Sequence, residues 1–315
     1  MGEQGRDPDR GLATDAARRL GRSGRLDRMA TGLDTTYRLR CDSGEVLALR
    51  VGGVLPIRRP EAMLSEAGWV RSLQAAIHFR VPEVVSWPDR PILVLEDAQS
   101  VPRAVMALSW LPGRQERVRF TRHHARALGR AMAELHGWAA TFELPDGGWL
   151  KTWDRGLMAG AGDLSALVHV AGPGAMDTVA ELEGRMDSMT SELGPDGFGI
   201  INADIGPHNT VWIGGVPGLV DFNDSGWGYF AFDLARFLRY LAARAEGAAL
   251  VESALEGYRA VSDLPEGYRA FGALFGAAAD LFLARYLAPQ VVKRGPDTAE
   301  RVKQLVASVA QALGG

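Results

Sequence analysis

The chain has 315 residues, a formal net charge of −3 and a hydrophobic share of 47%. Its length predicts two domains or one large bilobal unit, and its apolar share is sufficient for a sizeable core. The slightly negative charge excludes a generally basic nucleic-acid-binding protein, so we expect no nucleic acid partner. The sequence does not specify an oligomeric state.

Lysine and cysteine are scarce, which excludes two kinds of chemistry. The first of the three lysines is Lys151, so amine chemistry is excluded from everything before it. The single cysteine, Cys41, excludes an intrachain disulfide and a cysteine-based zinc site. The N-terminus lacks the apolar segment of a secretion signal, and Asp280 and Arg285 interrupt the apolar stretch 271–288. We therefore expect a cytoplasmic protein without a membrane partner.

The N-terminal third alternates between strand and turn patterns. Residues 1–24 form a charged tail, for which we expect either partial disorder or a short helix. Apolar runs or alternation typical of strands occur in four segments: 37–41, 46–51, 92–95 and 104–109. A helix is predicted over 61–74. Together these patterns predict a mostly antiparallel sheet with one helix.

The remainder of the chain is mainly helical. Thr121 is suited to cap a helix whose apolar residues follow at helical spacing. Further helices are predicted at 179–193, at 234–241 and from 297 onward, and short strands at 200–201, 211–213 and 219–220. Residues 141–165 form a Gly- and Trp-rich excursion, which we interpret as either a lid over a substrate or a variable surface loop.

The stretch 199–224 carries the residues best suited to chemistry. Asp204 follows one short apolar segment, Asn209 lies five residues further on, and Asp221 follows a second apolar segment. A strand that ends in a carboxylate is costly for a core and common at metal or proton-transfer sites. Asp and Asn also supply the hard oxygen ligands that suit Mg²⁺. Each residue alone is typical of an ordinary turn, so the interpretation depends on the joint pattern.

This joint pattern resembles the phosphotransferase family of aminoglycoside and choline kinases, which has a kinase-like fold. The motifs that match are Asp204-x-x-x-x-Asn209, Asp221-Phe222-Asn223-Asp224 and Asp233-Leu234-Ala235, in that order. The resemblance implies a bilobal α+β fold. Its expected parts are a flexible tail 1–24, an N-lobe 25–111 with a five-stranded antiparallel sheet and one helix, and a mainly helical C-lobe 112–315. Nucleotide is expected in the cleft between the lobes.

The resemblance also implies roles for the residues of the C-lobe motifs. Asp204 is expected to accept or orient the proton of the substrate hydroxyl as a general base. Asn209 and Asp221 are expected to hold Mg²⁺ against the phosphates of ATP or GTP. Asp233 would brace the catalytic loop. Asp224 is either a turn residue or an auxiliary metal ligand.

In the N-lobe the resemblance implies four nucleotide-binding positions besides the phosphate clamp and its acidic partner. These are Gly32 and Thr35 in a phosphate-covering turn and Ser109 and Leu111 in a hinge.

Two residues depart from the family pattern. Asn202 stands where a His is usual, and an Asn amide can donate similar hydrogen bonds. Arg50 stands where the phosphate clamp is often a Lys. Because Arg stays charged and can hold phosphate oxygens through two donors, we assign the clamp to Arg50, paired with Glu66.

The function that follows is transfer of the γ-phosphoryl group of ATP or GTP to a hydroxyl of a small molecule. Asp221 and Asp233 are only twelve positions apart, which is too short for the peptide-docking segment of a protein kinase. The first expectation for the acceptor is an antibiotic, in a resistance or self-protection enzyme. The alternatives are a metabolite kinase of the homoserine, choline or amino-sugar type, and a nucleotide-binding pseudokinase, which Asn202 and Arg50 suggest.

Overall fold

The computed structural model describes residues 7–116, 119–154, 164–195 and 197–314. It divides into two compact units, each made of three chain segments. Unit 1 comprises Met1–Arg119, Thr141–Lys151 and Pro207–Ser225; unit 2 comprises Phe120–Ala140, Thr152–Gly206 and Gly226–Gly315. This division differs from the expected linear boundary after Leu111, because two later segments pack with the N-terminal one.

The described elements in chain order begin with those of the N-terminal third. They are α1 (Pro8–Arg19), β1 (Gly24–Thr31), β2 (Thr35–Cys41), β3 (Val46–Val51), α2 (Pro60–Ser72), β4 (Val84–Val85), β5 (Ile92–Glu96) and β6 (Pro102–Ser109). The later elements are α3 (Arg122–Ala139), α4 (Leu164–Ala171), α5 (Gly174–Leu193), β7 (Phe198–Ile201), β8 (Thr210–Ile213), β9 (Val216–Leu219), β10 (Gly226–Tyr229), α6 (Phe230–Ala242), α7 (Gly247–Arg259), α8 (Tyr268–Leu287), α9 (Val291–Arg294) and α10 (Pro296–Gly314).

The sheet of unit 1 is antiparallel and has six strands, not the expected five. Its order is β1-β2-β3-β6-β4, and β5 also pairs with β6. All four predicted strand segments are present. The strands that the sequence did not predict are β1, in which only Leu26 is buried, and β4, which has two residues. A strand with one buried residue and a strand of two residues cannot show the apolar alternation from which strands are predicted.

The expected flexible tail is a packed helix over Pro8–Arg19. Leu12, Ala13 and Ala16 of α1 are buried in one cluster with residues of the sheet. The indole nitrogen of Trp87 donates a hydrogen bond to the carbonyl of Ala16 at 3.1 Å. The alternative of a short helix is therefore correct for this stretch, and its mostly alanine face explains the weak apolar signal.

The two later segments of unit 1 are a short stretch, 141–151, and a segment, 207–225, that contains the hairpin β8–β9. Strands β8 and β9 pair antiparallel with Thr210 opposite Leu219, and the backbone N–H of Arg80 donates to the carbonyl of Pro217 at 2.8 Å. Residues 141–151 pack against α2: the ring of Phe142 lies 5.0 Å from that of Trp69, and the N–H of Trp149 donates to the carbonyl of Glu61 at 3.2 Å. The choice between a lid and a variable surface loop stays a prediction. Residues 155–163 of that excursion lie outside the described residues.

Unit 2 is mainly helical, as predicted, around the short antiparallel pair β7–β10. Thr121 caps α3, because its side chain accepts from the backbone of the first turn. The core of the unit is a large apolar cluster that includes Trp153, Met186, Phe232 and Phe275.

The long apolar helical region at 268–294 contributes much of this core. By length and composition alone, Tyr268–Arg294 could cross a membrane, and half of its most apolar window is buried within the protein. Asp280, which interrupts the apolar stretch, is buried and accepts a hydrogen bond from Arg239 at 3.0 Å. The expected absence of a membrane partner stays a prediction.

Candidate functional site

Asn209 and Asp221, the predicted metal ligands, lie at one end of a hairpin in unit 1. Asn209 directly precedes β8, and Asp221 follows β9 after one residue. Because the two strands are antiparallel, these positions are neighbours. The backbone N–H of Val220 donates to the carbonyl of Asn209 at 3.1 Å. The local fold therefore brings an amide and a carboxylate side chain to the same end of the hairpin.

The surroundings of Asp221 destabilise its negative charge. Burial raises the pKa of its carboxyl to about 6, and the neighbouring Glu66 and Asp224 act in the same direction. Arg50, whose guanidinium lies 3.9 Å away, and the backbone N–H of Asn223, at 3.2 Å, act against this rise. A divalent cation would compensate the buried charge.

The donor set fits Mg²⁺. Asn209 and Asp221 offer hard oxygens, and within the described ranges no group of three or more His, Cys, Asp or Glu could hold a metal. A cation with so few protein ligands needs water or phosphate oxygens to complete its shell. Mg²⁺ is usually bound in this way.

Arg50 lies in a buried cluster of four charges in unit 1. Its guanidinium contacts Asp34 at 2.5 Å and forms a hydrogen bond with Glu66, the partner expected from sequence. Arg58 contacts Asp34 at 2.7 Å and Glu66 at 3.3 Å. Burial acts to raise the pKa of Asp34, but Arg50 and Arg58 outweigh it and hold that pKa below its usual range. The two positive and two negative side chains balance.

The motifs did not predict a role for Asp34 or Arg58. Asp34 lies in the turn between β1 and β2, and Arg58 lies in a single 3-10 turn, Pro56–Arg58. The nitrogens of Arg50 that were expected to hold phosphate face carboxylates in this structure. Its role as the clamp stays a prediction.

The other predicted nucleotide-binding residues of unit 1 have different surroundings. Gly32 is exposed, and its N–H donates to the carbonyl of Asp34 at 2.9 Å. Thr35 is buried, and its hydroxyl donates to Asp9 of α1 at 2.5 Å, so its side chain is directed to the N-terminal helix. The hydroxyl of Ser109 accepts the N–H of Glu83 at 2.8 Å.

Leu111 comes two residues after β6 and lies close to Gly218 of β9: a methyl group added at Gly218 would be 3.0 Å from its side chain. It is therefore placed against the hairpin that carries Asn209 and Asp221.

In unit 2, Asp233 holds the loop that carries Asp204. Its carboxylate accepts the backbone N–H groups of Asn202 at 3.1 Å and Ala203 at 2.9 Å. Ala203 has φ 61, a left-handed conformation that is rare outside glycine. The side-chain oxygen of Asn202 accepts the N–H of Asp204 at 3.0 Å. Asn202, which replaces the usual His, thus acts on the backbone as an acceptor.

Asp233 is itself held by a buried histidine of α3. His136 of α3 is buried, and its Nε2 lies 3.1 Å from Asp233. Its Nδ1 lies 2.8 Å from the hydroxyl of Tyr258, and its ring stacks on Phe230 with centroids 4.5 Å apart. The loop is therefore supported by three elements of unit 2.

Two residues of α6 hold the carboxylate of Asp204. The hydroxyl of Tyr240 donates to Oδ1 at 2.9 Å, and the guanidinium of Arg236 lies 3.5 Å from the same oxygen. Burial raises the pKa of Tyr240 above its usual range, which keeps it a hydrogen-bond donor. Asp233, Arg236 and Tyr240 are spaced by three and four residues on an apolar helix. Residues at this spacing lie on one face of a helix, and this pattern could have indicated that Arg236 and Tyr240 lie on the same face as Asp233.

Residues 28–274 match the phosphotransferase enzyme family. The chain belongs to this family. The match covers most of the chain and includes every predicted site residue, so the resemblance found in the motifs is confirmed.

This phosphotransferase shares its fold with kinases of known structure. It superposes on a microcompartment-associated aminopropanol kinase with a TM-score of 0.77 and 23% identity, over 96% of each chain. It superposes on an amicoumacin kinase in complex with AMP-PNP and Ca²⁺ with a TM-score of 0.76 and 18% identity, over 97% of this chain and 93% of that one. The expected kinase-like α+β fold is confirmed.

The phosphotransferase is also similar in sequence to a homoserine kinase from Rhizobium etli. The two are 30% identical over 176 residues, which is 51% of each protein. The chain thus spans about half the length of this relative.

Proposed function

We propose that this phosphotransferase transfers the γ-phosphoryl group of ATP to a hydroxyl of a small molecule in a Mg²⁺-dependent reaction. The observation that carries the proposal is the hairpin β8–β9, which sets Asn209 and Asp221 at one end. Asn209 lies five residues after Asp204. The carboxylate of Asp204, which its neighbours hold in place, is thus followed along the chain by the two oxygen donors for a cation, Asn209 and Asp221. GTP is the alternative donor.

Asp204 is the proposed base. Tyr240 and Arg236 hold one carboxylate oxygen and stabilise the ionised form, while Asp233 fixes the backbone that carries the residue. In this arrangement Asp204 orients the acceptor hydroxyl and takes its proton as the phosphoryl group arrives. Positioning supplies most of the rate in such reactions, and the base contributes less.

Asn209 and Asp221 are the proposed ligands of Mg²⁺. The ion, when bound, neutralises charge on the phosphates. Arg50 adds a fixed positive charge 3.9 Å from Asp221, and Glu66 and Asp34 fix its orientation.

For the acceptor we propose a small amino alcohol or hydroxy amino acid, with homoserine first. The sequence similarity to a homoserine kinase supports this choice over the antibiotic expected at first, because the likeness to an amicoumacin kinase is one of fold. An antibiotic acceptor is the second candidate.

An acceptor panel tests both proposals. Homoserine, aminopropanol, choline, an amino sugar, amicoumacin and an aminoglycoside are incubated with ATP or GTP and Mg²⁺, and the products are weighed by mass spectrometry. Addition of a phosphoryl group of about 80 Da to homoserine supports the first acceptor, and its addition to an antibiotic alone supports the second. Nucleotide binding without any modified acceptor would favour the pseudokinase.

A further inference from the structure

Lys151, the first lysine in the chain, lies beside the predicted metal ligands. Its ammonium contacts Oδ1 of Asp224 at 2.7 Å and the carbonyl oxygen of Asn223 at 3.5 Å. The lysine side chain is 8% exposed and that of Asp224 is 19% exposed. A buried cation thus already holds the second carboxylate of the Asp221–Asp224 motif.

The position of Lys151 is fixed by the chain before it. The N–H of Trp149 donates to the carbonyl of Glu61 on α2 at 3.2 Å, and the guanidinium of Arg59 lies 3.7 Å from the centre of the Trp149 ring. A methyl group added at Gly148 would lie 2.6 Å from the hydroxyl of Ser65, so the segment passes close to α2. These contacts hold the ammonium against the motif.

Arg58 places a second positive charge on the same loop. Its guanidinium donates to the carbonyl of Asn223 at 3.2 Å, while its other nitrogens hold Asp34. A cavity between these groups is lined by Arg58, Glu66, Lys151, Asn223 and the buried Ser225. The side of the motif that carries Asp224 is therefore already supplied with positive charge.

We propose that the ammonium of Lys151 takes the place of a second metal ion at Asp224, so that the site binds one divalent cation per nucleotide. The inference rests on the proposed function. Two cations that share one carboxylate at short range repel each other, and the lysine is held in place by its own segment. Asp221 with Asn209 then forms the metal site, and Asp224 is a partner of Lys151.

The test counts bound Mn²⁺ by electron paramagnetic resonance, with the intact chain saturated by AMP-PNP. We expect one ion per chain in the wild type and two in Lys151→Met, because removal of the ammonium opens Asp224 to a second ion. Lys151→Arg should restore a count of one, and so should the double variant Lys151→Met, Asp224→Asn. Lys303→Met, at an exposed position on α10, is the control and should bind one.

Two ions in the wild type, or one in a folded Lys151→Met, would overturn the proposal. Lys151→Gln serves as the neutral variant if thermal unfolding shows that Lys151→Met does not fold. No bound Mn²⁺ in the wild type would instead contradict the proposed function together with this inference, so the two failures are distinguishable.

Discussion

Asp204 can act as a base only while its carboxylate is ionised and correctly oriented. Asp204→Asn keeps the shape of the side chain and removes the proton acceptor. We expect kcat to fall by roughly 10²–10⁴-fold with little change in nucleotide affinity. Steady-state kinetics with the acceptor found by the panel, together with calorimetric titration of AMP-PNP, measure both. Asp187→Asn, at an exposed position, is the control. Equal turnover in Asp204→Asn and wild type would remove Asp204 from the mechanism.

Tyr240 is expected to position Asp204, without itself touching the substrate. Tyr240→Phe removes the donor that lies 2.9 Å from Oδ1 and leaves the ring in place. A hydrogen bond to a charged group contributes about 1.5–3 kcal/mol, so kcat should fall about 10- to 100-fold. Calorimetric titration should give an AMP-PNP affinity close to that of the wild type, because the ring of Tyr240 does not hold the nucleotide. Equal kcat in Tyr240→Phe and wild type would argue against this role.

Arg50 combines a predicted role in binding with an observed role in the buried charge cluster. Arg50→Ala leaves Asp34 and Glu66 with Arg58 alone, and breaking a buried pair costs about 3–5 kcal/mol. We expect a lower melting temperature and strongly weakened nucleotide binding, and Arg50→Lys should retain part of both. Arg25→Ala, in a side chain that is 75% exposed, is the control. Unchanged nucleotide affinity in a folded Arg50→Ala would refute the clamp.

At the residue scale, the sequence predicted residues within motifs and missed those that meet them only through the fold. Asp34 and Arg58 are 24 positions apart, Arg58 and Asn223 are 165 apart, and Lys151 lies 73 positions before Asp224. No local pattern links residues so far apart. The match of the turn to the family predicts Thr35 at the nucleotide, and this stays a prediction. Its hydroxyl donates to Asp9 of α1, a helix that the sequence indicates only weakly.

At the element scale, helix α6 organises the loop of Asp204. Asp233 in its first turn accepts two backbone N–H groups, and Tyr240 near its end holds the carboxylate. Apolar spacing predicted the helix, and the motif predicted Asp233. The sequence predicted short strands near β8 and β9. Their register, which sets Asn209 beside Asp221, could not be predicted and comes from the observed pairing.

Asp233→Asn tests whether the carboxylate of Asp233 holds the loop that carries Asp204. The amide nitrogen would face N–H groups of Asn202 and Ala203, so a buried acceptor is replaced in part by a donor. We expect destabilisation of about 1–3 kcal/mol and loss of activity, because Ala203 must keep its left-handed conformation. Chemical unfolding measures the first effect and kinetics the second. If the free energy of unfolding and kcat of Asp233→Asn both equalled those of the wild type, Asp233 would not be the residue that holds the loop.

At the scale of the whole molecule, the sequence predicted the kinase-like fold and the family, because the motifs are jointly specific and lie in the expected order. The division into units was harder to predict. Segments 141–151 and 207–225 join the N-terminal unit through backbone pairing and packing that composition cannot show. The same long-range packing places Lys151 at the metal motif.

The central claim is Mg²⁺-dependent phosphoryl transfer to a small-molecule hydroxyl. Its most direct test is mass spectrometry of the acceptor panel with ATP, run with Mg²⁺, with excess EDTA, and with Asp204→Asn in place of wild type. We predict an acceptor heavier by about 80 Da only with Mg²⁺ and the wild-type chain, at a rate at least 10²-fold above that of the variant. A product formed equally by Asp204→Asn, or in EDTA, would contradict the claim, and so would a panel in which no acceptor gains mass.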